Sequence, residues 1–213
     1  MSEPTPENFL SLEWGWDNVR FNVFQLLAWG YEIVESEIRQ KHKEEDITGL
    51  LRKGIREKLD NPSLPEYFRS YTPGNEDPVD DTGKYGSSRP KIDIMFECSG
   101  GLPRLRYCFE AKRCHRRRYK MDWYSQGIQA FINRQYAKGA TEGAMLGLVQ
   151  SGTTAYWKSG LIAETAQNTA LCCETSPTDV TDLVLPDMTA SIHRRNDGSL
   201  ITLYHVFLDC VQP

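Results

Sequence analysis

Length, composition and charge exclude several classes of protein. The 213 residues carry a net charge of −4, which excludes a protein that coats nucleic acid with uniform positive charge. With 39% hydrophobic and 25% charged residues the composition is typical of a soluble globular domain, and no apolar run approaches the length of a membrane span. We expect one domain, residues 1–213, in the cytoplasm, because the acidic N-terminus lacks the pattern of a signal peptide.

The six cysteines form no C-x-x-C pair. Cys108 and Cys210 lie in apolar runs and are predicted to be buried small hydrophobes. Cys114 and His115 are neighbours, but no second Cys/His pair stands at zinc spacing, so a structural zinc is not expected. This use of cysteine is typical of a reducing compartment.

The first part of the chain is predicted to be helical, with residues 1–41 as an N-terminal helical region. Apolar residues recur at helical spacing from residue 12 to residue 39, and a second helix is predicted at residues 42–59. The aromatic residues of the first region include Trp14, Trp16, Phe21, Phe24 and Trp29. We interpret them mainly as packing, and a partner interface is the alternative.

A segment rich in Pro, Gly, Asp and Ser follows, from residue 61 to residue 90. Within it, residues 67–71 are predicted as a first strand and residues 72–89 as a long loop without periodicity. Loops of that length tend to be functional or mobile. Because this one enters the strand that bears Asp93, we expect it to drape over the site described next.

The most informative stretch of the chain is a predicted hairpin. Its strands are residues 91–97 and 104–112, with a tight turn between them. Because side chains on a strand alternate between faces, Glu110 and Lys112 project from the same face. Pairing of the strands across this turn brings the carboxylates of Asp93 and Glu110 together, with the amine of Lys112 one pleat away.

Two converging carboxylates and a lysine suit metal-assisted hydrolysis of a phosphodiester. Mg²⁺ typically binds one or two carboxylates, waters and phosphate oxygens. The metal acidifies a bound water and offsets charge on the phosphate, and a neighbouring lysine orients that water or stabilises the developing anion. The alternative is a solvated strand face with cross-strand ion pairs. The strongly apolar strands argue against it, because charges are costly there unless they serve a function.

Asp93 followed by Glu110-Ala111-Lys112 resembles the signature of the PD-(D/E)XK nuclease superfamily, which has a restriction-endonuclease-like fold. One departure is that Pro90 stands three residues before the aspartate rather than directly before it. The resemblance implies that Asp93 and Glu110 bind Mg²⁺, for which Mn²⁺ can substitute, together with the backbone carbonyl of Ala111. It also implies that Lys112 positions or activates the attacking water.

Members of this superfamily often supply an extra metal-binding glutamate from the first core helix. In this chain the candidate is Glu44, which borders the apolar face of the predicted helix, and Glu45 is the runner-up. The alternative is that both are first-turn acids that match the helix dipole.

A basic run follows the predicted catalytic lysine. Residues 112–120 hold six basic residues in nine. The predicted nucleic-acid-binding residues are Arg113, Arg116, Arg117, Arg118 and Lys120. We expect a phosphate backbone that passes the site to meet them, and the alternative is a solvated basic loop. The acidic remainder of the chain limits non-specific binding, which is consistent with a partner protein or a narrow substrate.

A helix is predicted at residues 121–138 and a buried strand at residues 143–149. The apolar residues placed on one side of this helix are Trp123, Ile128, Phe131 and Ile132. The order helix, strand, strand, strand, helix, strand matches the common core of the superfamily, which we assign to residues 42–150.

The same helix carries further polar residues. The Gln-x-x-x-Tyr motif that some superfamily members have here is not reproduced at Gln126 or Gln129, so no family-like contact is assigned to either. Arg134 and Tyr136 are candidates to face substrate.

Residues 151–213 are predicted as a helix at 153–169 and a C-terminal hairpin. The strands of the hairpin, 190–194 and 201–208, flank an Asp-Gly turn signal. We expect His193, Arg194 and His205 to lie near one another across the strands, and a substrate role for His193 or Arg194 is the alternative to a structural one. A strand histidine is usually structural, and that is the favoured interpretation.

The expected fold class is α/β, with a restriction-endonuclease-like core, a central mixed sheet flanked by helices. The expected function is that of a Mg²⁺-dependent endonuclease that hydrolyses phosphodiester bonds, with DNA as substrate, in bacterial restriction or antiphage defence. The alternatives are a non-catalytic subunit that keeps the fold and binds a partner protein, and an RNase or a DNA-repair nuclease on the same core.

Overall fold

The structure is a computed structural model that describes residues 15–78, 91–99, 105–115 and 121–211. The helices in those residues are α1 (Trp16–Val34), α2 (Glu44–Leu59), α3 (Asp122–Ile132) and α4 (Thr154–Gln167). The strands are β1 (Tyr71–Pro78), β2 (Lys91–Cys98), β3 (Leu105–Cys114), β4 (Glu142–Val149), β5 (Cys173–Asp179), β6 (Thr189–Arg194) and β7 (Leu200–Asp209). Short 3-10 helices lie at Glu35–Glu37, Glu66–Ser70 and Thr169–Leu171.

The strands of the described residues form one mixed seven-stranded sheet in the order β1-β2-β3-β4-β7-β6-β5. β3, β4 and β7 run parallel at its centre, and the other neighbours pair antiparallel. β4 is buried along almost its whole length, as expected for a strand covered on both faces. α1 and α2 cover one face and α3 and α4 the other, each over an apolar core. The predicted α/β class, a mixed sheet flanked by helices, is confirmed.

α1 and α2 cross with their backbones in contact at two glycines. A Cβ on Gly54 would lie 2.3 Å from the carbonyl oxygen of Gly30, and a Cβ on Gly30 would lie 3.0 Å from the backbone nitrogen of Ile55. Only glycine permits so close an approach. α2 begins at Glu44, where the carboxylate of Asp46 accepts a hydrogen bond from the Lys43 N–H at 2.8 Å. The crossing fixes α2, and its first turn carries Glu44 toward the sheet.

The predicted helices are present, with shifted ends. The prediction for residues 42–59 is confirmed by α2, and the one for 153–169 by α4. The helix predicted at 12–39 ends at Val34 and continues only as a 3-10 turn, and residues 1–14 lie outside the described residues. The helix predicted at 121–138 stops at Ile132, because the backbone turns left-handed at Arg134 and Ala137, with φ of 56° and 50°. Within the described part of the chain, no helix combines the length and apolarity needed to cross a membrane.

The strands predicted at the site and at the C-terminus are confirmed, and both extend slightly further than predicted. β2 and β3 pair antiparallel, and the turn between them, residues 100–104, lies outside the described residues. β6 and β7 form the predicted hairpin, in which Arg194 faces Leu200 and Gly198 adopts a positive φ of 84°. The prediction that Cys108 and Cys210 are buried is also confirmed.

Two predictions about the sheet edges were wrong. Residues 66–70 form a 3-10 turn rather than a strand, and residues 72–78, predicted as loop, belong to β1. Pro73 misled the prediction, because a proline is tolerated in an edge strand, where its missing N–H costs no ladder bond. β5 at the other edge was missed for the same kind of reason: it is polar, contains Pro177 and pairs irregularly. Residues 79–90, with Pro90 and the rest of the predicted loop, lie outside the described residues.

Candidate active site

The site lies where β2 and β3 separate. Their pairing ends at Ile94 and Phe109, yet β3 continues to Cys114 beside β4. N–H groups on the vacated side of β3 need other acceptors, because buried backbone groups are rarely left without a hydrogen bond. Asp93 Oδ2 accepts from the Ala111 N–H at 2.8 Å.

The next N–H on that side of β3 is served by a helix. Glu44 Oε2 accepts from the Arg113 N–H at 3.0 Å. Two carboxylates from different elements therefore replace the missing strand, and the departure of β2 from β3 explains why Asp93 and Glu44 meet here. Arg52 of α2 also helps to hold Asp93 in place, since its Nη1 donates a hydrogen bond to the Asp93 carbonyl oxygen at 2.8 Å.

Glu110 and Lys112 project from the sheet face that α3 covers. α3 lies close to that face because Gly127 has no side chain: a Cβ there would come within 2.5 Å of Met145 Cε and 3.3 Å of Glu110 Cγ. Glu110 is buried, with 6% of its surface exposed. The strand alternation predicted from sequence is thus realised, and Asp93, Glu110 and Lys112 are brought together.

The Lys112 ammonium lies among three oxygens. Its Nζ is 2.6 Å from Glu110 Oε1, 2.7 Å from the Ala111 carbonyl oxygen and 3.2 Å from Glu44 Oε1. These are three of the groups that the resemblance assigns to a metal. In the structure their negative charge converges on the amine of the lysine.

Burial and mutual repulsion shift the pKa values of these groups. Burial raises the pKa of the Glu110 carboxyl to about 8, and the charge of Asp93 adds to the rise while Lys112 opposes it. Burial also raises the pKa of Glu44, again opposed by Lys112. Burial acts to lower the pKa of Lys112, but the carboxylates of Glu110 and Glu44 outweigh it and raise that pKa. The site therefore holds a charged lysine. The surrounding carboxylates carry more negative charge than this one ammonium offsets.

A cleft of about 690 Å³ opens over Glu110 and Lys112. One wall is the start of α2, with Glu44 and Glu45, and the opposite wall is α3 with the segment after it, including Tyr136. Burial raises the pKa of the Tyr136 phenol, and the neighbouring Glu110 carboxylate adds to the rise. Tyr136, which we named as a candidate to face substrate, thus lies in the cleft close to Glu110.

The donor set fits a hard divalent cation. Glu110 Oε2 is buried and, among the described residues, has no hydrogen-bond partner. Carboxylate and carbonyl oxygens are the ligands that Mg²⁺ prefers. As they stand, the described residues contain no group of three or more His, Cys, Asp or Glu side chains arranged to hold a metal ion. In the structure the Lys112 ammonium lies between Glu44 and Glu110.

Other predicted residues lie in several places. Arg113 and Gln126 line the cleft. Arg134 does not: it pairs with Asp197 and donates to the Lys138 carbonyl at 2.6 Å. Arg134 therefore does not face the cleft as predicted, because the helix ends at Ile132 and the backbone turns left-handed at Arg134. The remaining predicted basic residues, Arg116, Arg117, Arg118 and Lys120, lie outside the described residues.

Three features of the site and its surroundings were not predicted from the sequence. Gln150, at the end of β4, is fully buried; its Oε1 accepts from Arg113 Nε at 2.6 Å, and its Nε2 donates to the His42 carbonyl at 2.8 Å. It ties β3 to the segment that precedes α2. Arg52 was not predicted to contribute to the site. Its position beside the apolar residues of α2 was visible in the sequence and indicated a charge that faces the rest of the protein. Trp123 was placed on the same side of its helix as Ile128, Phe131 and Ile132, which is wrong. Those three are buried, whereas Trp123 is 50% exposed and lines the cleft.

The two strand histidines belong to a separate, buried chain of hydrogen bonds. The chain joins Tyr124, His205, Ser191, His193 and the carbonyl of Leu171, at distances of 3.1, 2.7, 2.7 and 2.7 Å. The carbonyl can only accept, so His193 Nδ1 donates to it and His193 Nε2 accepts from Ser191. Ser191 in turn accepts from His205 Nε2, and His205 Nδ1 accepts from Tyr124. Both rings are neutral in this chain.

Arg194, the third hairpin candidate, is exposed and pairs with Glu174 at 2.7 Å. None of these three hairpin residues lines the cleft over Glu110 and Lys112. The structural interpretation of His193 and His205 therefore agrees with where they lie.

Comparison of the chain with models of known families, with curated proteins and with solved structures finds no match.

Proposed function

We propose that this protein is a Mg²⁺-dependent nuclease of the PD-(D/E)XK type, with a restriction-endonuclease-like core. One observation carries the proposal: Asp93, Glu110, Lys112 and Glu44, from three different elements, converge at the point where β2 leaves β3. The buried Glu110 Oε2, which has no hydrogen-bond partner among the described residues, supports it, since such an atom is costly unless a ligand satisfies it.

The residues take distinct roles in this proposal. Asp93, Glu110 and the Ala111 carbonyl bind the cation, and Glu44 completes the set. When bound, Mg²⁺ or Mn²⁺ lowers the pKa of a water and offsets the charge that develops on the phosphate. Lys112 then turns its ammonium from the carboxylates to the attacking water or to a phosphate oxygen. α3 covers the face behind Glu110 and limits water access from that side.

DNA is the proposed substrate, and restriction or antiphage defence the proposed setting. The position of Arg113 supports a nucleic-acid substrate, because the residue lines the same cleft as Glu110 and its guanidinium is held by Gln150. The rest of the basic run follows Arg113 directly in sequence. Its charges supply the contacts with the phosphate backbone.

A second candidate is a non-catalytic subunit with the same fold. The contacts of Lys112 favour it, because an ammonium bound by three oxygens offsets part of the negative charge of the acids without a metal. The two candidates differ in their response to divalent cations. A nuclease binds Mn²⁺ at Asp93 and Glu110, whereas a subunit that works only through a partner surface has no such site.

The test is a cleavage assay of the wild-type protein with Mg²⁺ or Mn²⁺ and with a chelator. The substrates are supercoiled plasmid, linear duplex DNA, single-stranded DNA and RNA, so that an RNase or a repair enzyme that prefers damaged or unpaired DNA is distinguished. We expect cation-dependent cleavage of DNA. Absence of cleavage from all four substrates, together with no Mn²⁺ binding, would contradict the proposal.

A further inference from the structure

The wall of the cleft formed by α3 carries an exposed aromatic ring. Trp123 lies in the first turn of α3, is 50% exposed and lines the same cleft as Glu110 and Lys112. An indole exposed in a cleft that also holds charged groups offers a flat apolar face on which a planar ligand group can stack. The basic run predicted to bind phosphates ends three residues before it, at Lys120.

The residues of α3 that follow Trp123 leave space beside the ring. Gly127 and Ala130 line the cleft one and two turns further along, and both are small. One helical turn rises about 5.4 Å, so the backbone of Trp123 lies roughly that far along the helix axis from Gly127. Gly127 is the residue that packs beside Glu110. Gln126 lines the cleft between them and offers an amide that can donate and accept.

We propose that Trp123 is a stacking platform for an unpaired base, so that the cleft takes single-stranded or locally unpaired nucleic acid. This inference rests on the proposed function, which it narrows to a substrate class. Every base has a face that stacks on an aromatic ring, and such stacking is independent of sequence. A phosphate next to the stacked base then lies over Glu110 and Lys112.

A fully paired duplex does not satisfy this arrangement. Its base faces are stacked on one another, and only base edges and the backbone are accessible in its grooves. An indole in the cleft is therefore covered only when a base has left its stack, as in a single strand, a frayed end or a flipped nucleotide. The amide of Gln126 is placed to bond the edge of that base, whereas Arg113 is placed for its phosphate.

The test compares binding of a short labelled single strand and of the corresponding duplex, measured by fluorescence anisotropy in EDTA so that no cleavage occurs. The variants are Trp123→Ala and Trp123→Phe. The matched control is Tyr156→Ala, which removes a ring that is 51% exposed on α4, outside the cleft. We expect Trp123→Ala to weaken single-strand binding about tenfold or more and Trp123→Phe to weaken it less. Duplex binding and the Tyr156→Ala protein should change less than about twofold.

The outcomes separate this inference from the proposed function. Equal weakening for single strand and duplex, or no weakening for either, overturns the stacking role. Cleavage of fully paired duplex but not of single strands, at a rate that Trp123→Ala leaves unchanged, also overturns it and leaves the nuclease proposal intact. Single-strand binding that depends on Trp123, in a protein that cleaves nothing, supports stacking and contradicts the nuclease. A protein that binds neither nucleic acid contradicts both.

Discussion

The Lys112 ammonium lies 2.6 Å from Glu110 Oε1, within a cleft where both side chains are largely buried. The lysine is the internal cation of the site. A divalent cation that binds Glu110 therefore competes with the ammonium for the negative charge of the same carboxylate.

Replacing Lys112 by methionine, which keeps most of the volume and removes the charge, should tighten Mn²⁺ binding. We expect about a tenfold gain in affinity, equivalent to ~1.4 kcal/mol, measured by isothermal titration calorimetry. Cleavage should be lost in the same protein. Without metal its free energy of unfolding should fall by about 3 kcal/mol, because buried carboxylates lose their partner. Weaker Mn²⁺ binding than in the wild type would show that the lysine is not a competitor.

The crossing of α1 and α2 makes Gly54 a sensitive position. Gly54→Ala should lower the free energy of unfolding by at least about 2 kcal/mol, because the new Cβ meets the backbone oxygen of Gly30 at 2.3 Å, where no side chain can give way. The control is Gly49→Ala on the same helix, where the nearest atom is Arg52 Nη2 at 3.8 Å. That protein should be as stable as the wild type or slightly more stable. Urea denaturation measures both, and equal midpoints would argue against the close crossing.

The buried histidines should make the protein acid-sensitive. Burial lowers the pKa of His193, opposed by its hydrogen bond to the Leu171 carbonyl, and burial also lowers the pKa of His205, where the neighbouring His193 adds to the fall. The folded pKa lies below the unfolded value of about 6.5, so stability is fully present above that pH and is lost as the pH falls below it. Each ring contributes up to about 1.4 kcal/mol per pH unit, because the unfolded chain binds a proton that the folded chain does not.

Urea denaturation at a series of pH values from 7.5 down to about 5 measures this loss. His193→Gln should reduce the pH slope, since the amide does not titrate in this range. His42→Gln, at a partly exposed position before α2, is the control and should keep the wild-type slope. A wild-type slope in His193→Gln would rule out a part for this ring in the acid sensitivity.

The basic run gives a prediction about salt. The triple variant Arg116→Ala, Arg117→Ala, Arg118→Ala should weaken DNA binding at low salt and reduce the slope of log affinity against log salt by about two to three units. Turnover at saturating substrate should change far less, because uniform binding energy affects affinity more than the chemical step. The measurement is binding to a labelled DNA fragment across a salt series.

A control with the same change in net charge removes three exposed arginines elsewhere: Arg69, Arg106 and Arg194. That variant should keep the wild-type salt slope. Identical slopes in the two triple variants would show that only total charge matters and would remove the basic run from the binding surface.

Much of the fold was predictable because periodicity is local. The apolar spacing of α2 and the Asp-Gly turn between β6 and β7 each depend on a few neighbouring residues, and both predictions are confirmed. The edge strands were not predictable in this way. From the sequence alone, a proline indicates the end of a strand. Whether a strand tolerates it depends on the position of that strand in the sheet, which is set by residues far apart in the sequence.

The site was partly predictable for the same reason. Strand alternation placed Glu110 and Lys112 on one face, and the turn implied that Asp93 would join them. The local pattern did not reveal that β2 separates from β3, that Glu44 caps a β3 N–H group, or that Gln150 holds Arg113. Those contacts join residues far apart in sequence. Trp123 was misassigned because its position relative to the cleft depends on how α3 lies over the sheet.

The most direct test of the central claim is the Mn²⁺-dependent cleavage rate of Glu110→Gln, which keeps the size of the side chain and removes its charge. The matched control is Glu97→Gln on β2, which changes a carboxylate outside the cleft. We predict that Glu110→Gln cleaves DNA about a thousandfold more slowly, a loss of ~4 kcal/mol of transition-state stabilisation, and that Glu97→Gln cleaves at the wild-type rate. Asp93→Asn should match Glu110→Gln. Robust cleavage by Glu110→Gln would contradict the assignment of this site as the catalytic centre.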